Sequence, residues 1–342
     1  MAATEKRRIF TVIQYLFFLG IGFLLLWLSF RKLDMTEVWS DILHADYTWL
    51  IIALVFAIFS HIFRALRWNL LISSLDYKTR TFTTFMAVMI GYLVNTAVPR
   101  AGEFARCGVL SRKEKIPFNA LFGTVISERI FDLITLLVII VLVIVFQIQS
   151  LGGFIDKNFG PFFEKVFSNF SSIVIFGGIV FGSIVVVFFL VKLFKEKIKS
   201  LPFYDKMRGF IGGLLDGIKT IGKMKQKWLF LFYTFMIWLF YALMVYVPVF
   251  MLPETSSLDF VDALTILAIG SLGIVAPVPG GIGAYHFIVK AVLVEIYGIG
   301  GNAAGSFAAL THAGQTILNV VVGALSYFYI GVLSRKEKPL NE

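Results

Sequence analysis

A single cysteine, Cys107, stands among 342 residues, so no disulfide can form within the chain and a cystine-braced secreted scaffold is excluded. Histidine is nearly as scarce. His44, His61, His286 and His312 lie too far apart in sequence to show metal-ligand spacing, and no cofactor is expected. Charge is thin as well: Asp, Glu, Lys and Arg make up 15% of the chain, against 58% apolar residues. With mean hydropathy at +0.85, a soluble domain of this length could not hide so much apolar surface, and that class is excluded too. No P-loop, HExxH or nucleophile elbow occurs. PGGIGAY at 279–285 looks like a piece of a dinucleotide fingerprint, but it lacks the preceding strand and the βαβ setting that such a loop needs.

What the sequence does contain is apolar runs of membrane length. A spanning helix takes roughly 20 apolar residues, and full spans are expected at about 9–30, 47–72, 117–148, 172–194, 227–252 and 304–333. The fold class is therefore all-α, a polytopic membrane protein of about six full spans. The basic start at Lys6, Arg7 and Arg8 resembles a secretion signal, but the apolar run after it is too long and no small-x-small site follows. It reads as a retained first helix.

Two further apolar stretches, about 82–98 and 260–276, stop at the Pro/Gly clusters VPRAGE and APVPGGIG, and each is followed by a second helical stretch. Taken as re-entrant broken pairs, they sort the basic residues as the positive-inside rule requires. Lys78, Arg80, Arg112, Lys113, Lys115, the lysine-rich 192–227 segment and both termini fall inside, leaving Arg31, Lys32, Lys157 and Lys165 outside. Both termini are then cytoplasmic, in the cytoplasmic (inner) membrane. The first pair enters from inside and the second from outside, which suggests an inverted repeat of 82–148 with 260–333. Residues 1–81 would supply N-terminal helices and 172–252 connecting helices, with a basic amphipathic segment at 195–227. The net charge of +10 points to anionic lipid surfaces rather than nucleic acid, because no aromatic–basic nucleic-acid module is present.

Charges at membrane depth cost ~2.5–3.5 kcal/mol each on insertion scales, so they face a partner or a wet cavity. HIFRALRW supplies His61, Arg64 and Arg67, which either anchor to inner headgroups by snorkelling or contact a substrate. The break NTAVPRAGEFAR supplies Asn95, Arg100, Glu103 and Arg106 around Pro99 and Gly102. SERIFD supplies Glu128 and Asp132 on one helical face, with Arg129 turned about 100° away. In the last span His312, Gln315 and Asn319 share a stripe. Half-helix N-termini after Pro99 and Pro279 would present free N–H groups, and Pro277 with Gly280, Gly281 and Gly283 would let backbone approach closely. Together these make a cradle for a phosphate headgroup. The bland alternative is that the Glu103–Arg106 and Glu128–Arg129 neighbours form buried ion pairs that only hold the bundle together.

RALRW at 64–68, the Asn95–Arg106 stretch, ERIFD at 128–132 and PVPGGIGAYHF at 277–287 resemble the lysylphosphatidylglycerol synthase transmembrane family, over about residues 50–333. The family is the flippase part of the multiple-peptide-resistance factor and also exists as stand-alone membrane proteins. The resemblance implies translocation of a polar-headed lipid between leaflets. No aminoacyl-transferase domain lies within these residues, so lysyl transfer is not implied and the chain is not expected to be an enzyme. In the last span such proteins often carry an Arg where this chain has His312 or Gln315. The expected partner is a membrane lipid with an anionic or phosphate headgroup (a phospholipid, an aminoacyl-lipid or a polyprenyl-type lipid), with a lipid-synthesis enzyme or a second copy of the chain as further partners. Two readings compete with translocation: an embedded enzyme acting on lipid phosphates, and a non-transporting scaffold.

Overall fold

The computed structural model describes residues 2–147, 160, 224–275 and 278–336. The expected span at 172–194, most of the basic segment at 195–227, and Pro277 lie outside the described residues.

Every regular element among the described residues is helical. The helices are α1 (Ala2–Phe30), α2 (Met35–His44), α3 (Tyr47–Ser73), α4 (Thr81–Ala97), α5 (Gly102–Glu114), α6 (Phe118–Phe146), α7 (Lys227–Tyr246), α8 (Phe260–Val275), α9 (Ala284–Glu295) and α10 (Gly301–Lys336). The chain divides into two compact units, Met1–Phe146 with Met224–Glu342, and Gln147–Lys223, and α1 to α10 all belong to the first. Tyr47–Ser73, Phe118–Phe146, Lys227–Met251 and Gly301–Gly331 are long and apolar enough to cross a membrane. A fifth span arises if Tyr15–Phe30 and Met35–His44, bent by 91°, count as one. The turn into α2 has no counterpart among the expected elements. It begins where the Asp34 carboxylate accepts from the Thr36 N–H at 2.8 Å, and Asp46 caps α3 in the same way at 3.0 Å.

Much of the outer surface of the helices is apolar. Only 17% of the most apolar stretch of α6 is buried, and Leu137, Val138, Val141, Ile144 and Val145 stand exposed. A surface patch of this kind needs hydrocarbon around it. The tightly packed core lies instead where α7 to α10 meet, around Ile237, Val249, Ala263, Val289, Leu293 and Phe307.

Both expected breaks are present. The first lies between α4 and α5, where Arg100 adopts φ 64° after Pro99. The two half-helices then fold back on each other, Gly91 against Gly102. A methyl group on Gly102 would collide with the Gly91 carbonyl and the Asn95 side chain, so only glycine permits this crossing. The second break is a short 3-10 turn, Pro279–Gly281, between α8 and α9.

Packing is reciprocal between the two broken pairs. α6, which follows the first pair, packs against α8 of the second, and α10, which follows the second, packs against α4 of the first. α3 runs antiparallel to α7 and the 3-10 turn after it: Trp49 meets Phe250, Phe63 meets Tyr233 and Arg67 meets Thr234.

Candidate functional site

The charges that the sequence strands in apolar helices converge. α3 contributes Arg64 and Arg67 one turn apart, α5 contributes Arg106, and α6 contributes Glu128, Arg129 and Asp132. Glu128 is 0% exposed and four guanidiniums surround it. Arg64 forms an ion pair and hydrogen bond with it, Arg106 lies at 3.3 Å, Arg129 at 3.3 Å and Arg67 at 3.5 Å. Asp132 accepts from Arg67 at 2.6 Å and from Arg64 at 3.1 Å. Two further guanidinium donors reach α7, Arg64 giving to the Tyr241 hydroxyl at 2.7 Å and Arg67 to Thr234 at 3.2 Å, while the Nε–H of each is buried without a partner among the described residues. Buried charge is tolerated where opposite charge and hydrogen bonds offset the loss of water in this way.

Arg64 and Arg67 are therefore not headgroup anchors. Their side chains are 4% and 0% exposed, and the acids of α6 hold them inward, which removes any reason to snorkel. The alternative of local pairs is also too small a picture. Glu103 reaches Arg129 at 3.8 Å and Asn95 at 3.5 Å, Arg106 reaches across to Glu128, and the network joins α3, α4, α5, α6 and α7. Asn95 also accepts from the Gly102 N–H at 2.7 Å, so one of the free donors expected at the start of α5 is occupied and the hairpin tip is clasped.

Arg106 leaves more of its guanidinium unmet than Arg64 or Arg67 does. Its guanidinium lies over the Trp68 ring at 4.6 Å, and its Nε and Nη2 are buried with no hydrogen-bond partner among the described residues. Arg129 differs in another way, since its side chain is 44% exposed.

Both line a cavity of about 530 Å³ that draws walls from both halves of the chain. From the first half come Arg64, Asn95, Pro99, Arg100, Gly102, Glu103, Arg106, Arg129 and Asp132, and from the second come Gly280, Gly281, His312 and Gln315. Arg67 and Glu128 stand behind this wall. Gly283 faces elsewhere: at φ 83° it packs on the Gly22 carbonyl of α1, and any side chain there would collide. Pro279 is buried outside the lining, and α1 packs against the start of α9 at Gly283.

The second-half wall is quieter. His312 Nε2 donates to the Gly280 carbonyl at 3.0 Å, which fixes its tautomer because a carbonyl can only accept. Its ring packs against Tyr285 and His286, at centroid distances of 5.3 and 4.7 Å. Sequence reasoning missed Tyr92, Tyr241 and Tyr285, all of which line the cavity. Aromatic residues make up 16% of the chain, so a tyrosine in an apolar helix carries no signal. Only the YLVNT spacing, which puts Tyr92 on the face of Asn95 and Thr96, could have singled one out.

A helical chain with lipid-exposed apolar flanks and a charged cavity between two broken helix pairs is a polytopic membrane protein. Residues 13–323 match the family described as the lysylphosphatidylglycerol synthase TM region, and the chain belongs to it. It is similar to the UPF0104 membrane protein MJ1595 of Methanocaldococcus jannaschii, with 28% identity over 130 residues, 37% of this chain and 36% of that one. It is also similar to the glycosyltransferase AglD of Haloferax volcanii, with 30% identity over 105 residues, 30% of this chain but 17% of that one. The matches thus span well under half the length of these relatives. No solved structure matches.

Proposed function

We propose that the chain carries a lipid with an anionic or phosphate headgroup between the leaflets of the cytoplasmic membrane. The headgroup crosses through the cavity while its tails stay in the surrounding hydrocarbon. The observation that carries this reading is the cavity's charge. Arg64, Arg100, Arg106 and Arg129 line it against Glu103 and Asp132, and Arg67 and Glu128 behind the wall cancel each other, so an excess of guanidinium faces the interior. An anion would relieve that excess, and Arg is the side chain best shaped for phosphate. The reciprocal packing of the broken pairs supports an inverted repeat of 82–148 with 260–333, a plan suited to alternating access, with both termini cytoplasmic.

The test is a leaflet-specific lipid assay in proteoliposomes. Intact protein should translocate a phosphate lipid, and Arg129→Ala and Glu103→Gln should slow it while the protein still folds. Unchanged movement of every lipid in both variants would sink the reading. The similarity to a protein named a glycosyltransferase favours a second reading, in which the chain acts on lipid-linked phosphates itself or serves a partner that does. Turnover by the protein in detergent, where leaflets no longer exist, would select that alternative.

A further inference from the structure

The cavity has a second polar wall that the charge network does not use. His61 of α3 is 2% exposed and lines the cavity beside the Asn319 side chain, and neither of its ring nitrogens makes a well-formed hydrogen bond among the described residues. Asn319 of α10 lines the same space, and its Oδ1 is buried and unpartnered as well. Tyr92 packs on the His61 ring at 4.4 Å. Native structures leave few buried polar atoms unmet, and those they do leave call for a ligand or water. Five such groups, His61, Arg64, Arg106, Trp238 and Asn319, therefore bound one cavity, and of these only His61 and Asn319 leave an acceptor atom unmet.

Resting on the transport reading, we propose that the cavity selects a phosphate lipid whose headgroup is uncharged and hydroxylated, such as a glycerol or sugar. The phosphate lies between Arg106 and Arg129, and the hydroxyls bond to His61 and Asn319. A neutral imidazole offers one donor and one acceptor and an amide oxygen accepts twice, which suits hydroxyls, each both donor and acceptor. An ammonium headgroup finds no carboxylate there without an arginine beside it. Glu128 and Asp132 are engaged by arginines, and Glu103 by Arg129 and Asn95. A cavity of about 530 Å³ falls within the ~300–1,000 Å³ of small-molecule sites, room enough for a phosphate with a glycerol or one sugar.

Three tail-labelled lipids in proteoliposomes of the full chain separate the terms. Phosphatidylglycerol and phosphatidylmethanol carry the same single negative charge and differ in hydroxyls, while phosphatidylethanolamine adds an amine. Phosphatidylglycerol should cross about tenfold faster than phosphatidylmethanol, the scale of two hydrogen bonds, with phosphatidylethanolamine slowest. Asn319→Leu should erase the first difference without altering the second. Equal rates for the glycerol and methyl lipids overturn the proposal, as does an amine lipid that crosses fastest. If none of the three crosses, the transport reading fails. The subsite is then read from binding of short-chain versions to protein in detergent, where the same order upholds it and equal affinity overturns it.

Discussion

Replacing Glu128 with glutamine tests whether the charge network is the keystone of the fold. The substitution preserves shape and one acceptor oxygen but removes the charge that four guanidiniums share. What remains is Asp132 and the partly exposed Glu103 against Arg64, Arg67, Arg106 and Arg129. Breaking a buried pair from one side costs about 3–5 kcal/mol, because the partner charge stays behind in low dielectric. Each kcal/mol moves a melting point ~2–4 °C in a domain of 150–250 residues and less in a longer chain, so a fall of about 5–10 °C is expected. The assay is thermal unfolding in detergent, followed by size-exclusion recovery. A second substitution supplies the cross-check. Adding Arg106→Gln to Glu128→Gln should restore part of the loss, since it removes a charge left without its acid. A Glu128→Gln protein that melts within about 1 °C of the original would refute the reasoning, because the four guanidiniums would then not depend on the Glu128 charge.

Arg129→Gln should separate stability from transport: with its side chain 44% exposed it should cost under about 1 kcal/mol of stability, yet slow lipid movement in proteoliposomes. Gly102→Ala should part the α4–α5 hairpin, seen as lower thermal stability together with faster hydrogen exchange over residues 91–106, because the new methyl meets the Gly91 carbonyl. Gly283→Ala should loosen α1 from α9 by forcing a side chain at φ 83° onto the Gly22 carbonyl, read as protease sensitivity in α1. The native Cys107 is buried, so single cysteines at Lys78 and Glu254, both exposed, should react with an impermeant maleimide from opposite faces of the membrane. Labelling of both from the same face would defeat the proposed topology.

Four of the expected spans and both breaks were legible because hydrocarbon imposes a length on apolar runs, and because Pro99 and the glycines at 280–283 interrupt them where no loop composition intervenes. The charged members of the site were legible for the same reason: Arg106 and Glu128 are conspicuous in apolar surroundings. Their partners were not. Spacing along α5 pairs Glu103 with Arg106, but the fold pairs each with α6, because re-entry brings the start of α5 beside α6 and no local period encodes that approach. The fate of Arg64 and Arg67 was hidden likewise. A guanidinium near the end of a span reads as a headgroup anchor until an acid 64 residues downstream is known to meet it. Neutral polar residues such as Tyr241 and Thr234 gave no warning at all, since burial in a bundle needs nothing from them until a guanidinium arrives.

The dependence of Arg64 and Arg67 on α6 bears on how the chain is made. A ribosome adding 5–20 residues per second delivers Glu128 roughly 3–13 s after Arg64. Through that interval the nascent α3 holds two unneutralised side chains whose insertion costs about 5–7 kcal/mol together. Its own greasiness, a mean hydropathy of 2.1 over its most apolar stretch, must keep it in the bilayer until its counter-ions emerge. Polar substitutions on the lipid-facing side of α3, far from the cavity and harmless to the finished fold, would then reduce the yield of correctly inserted protein.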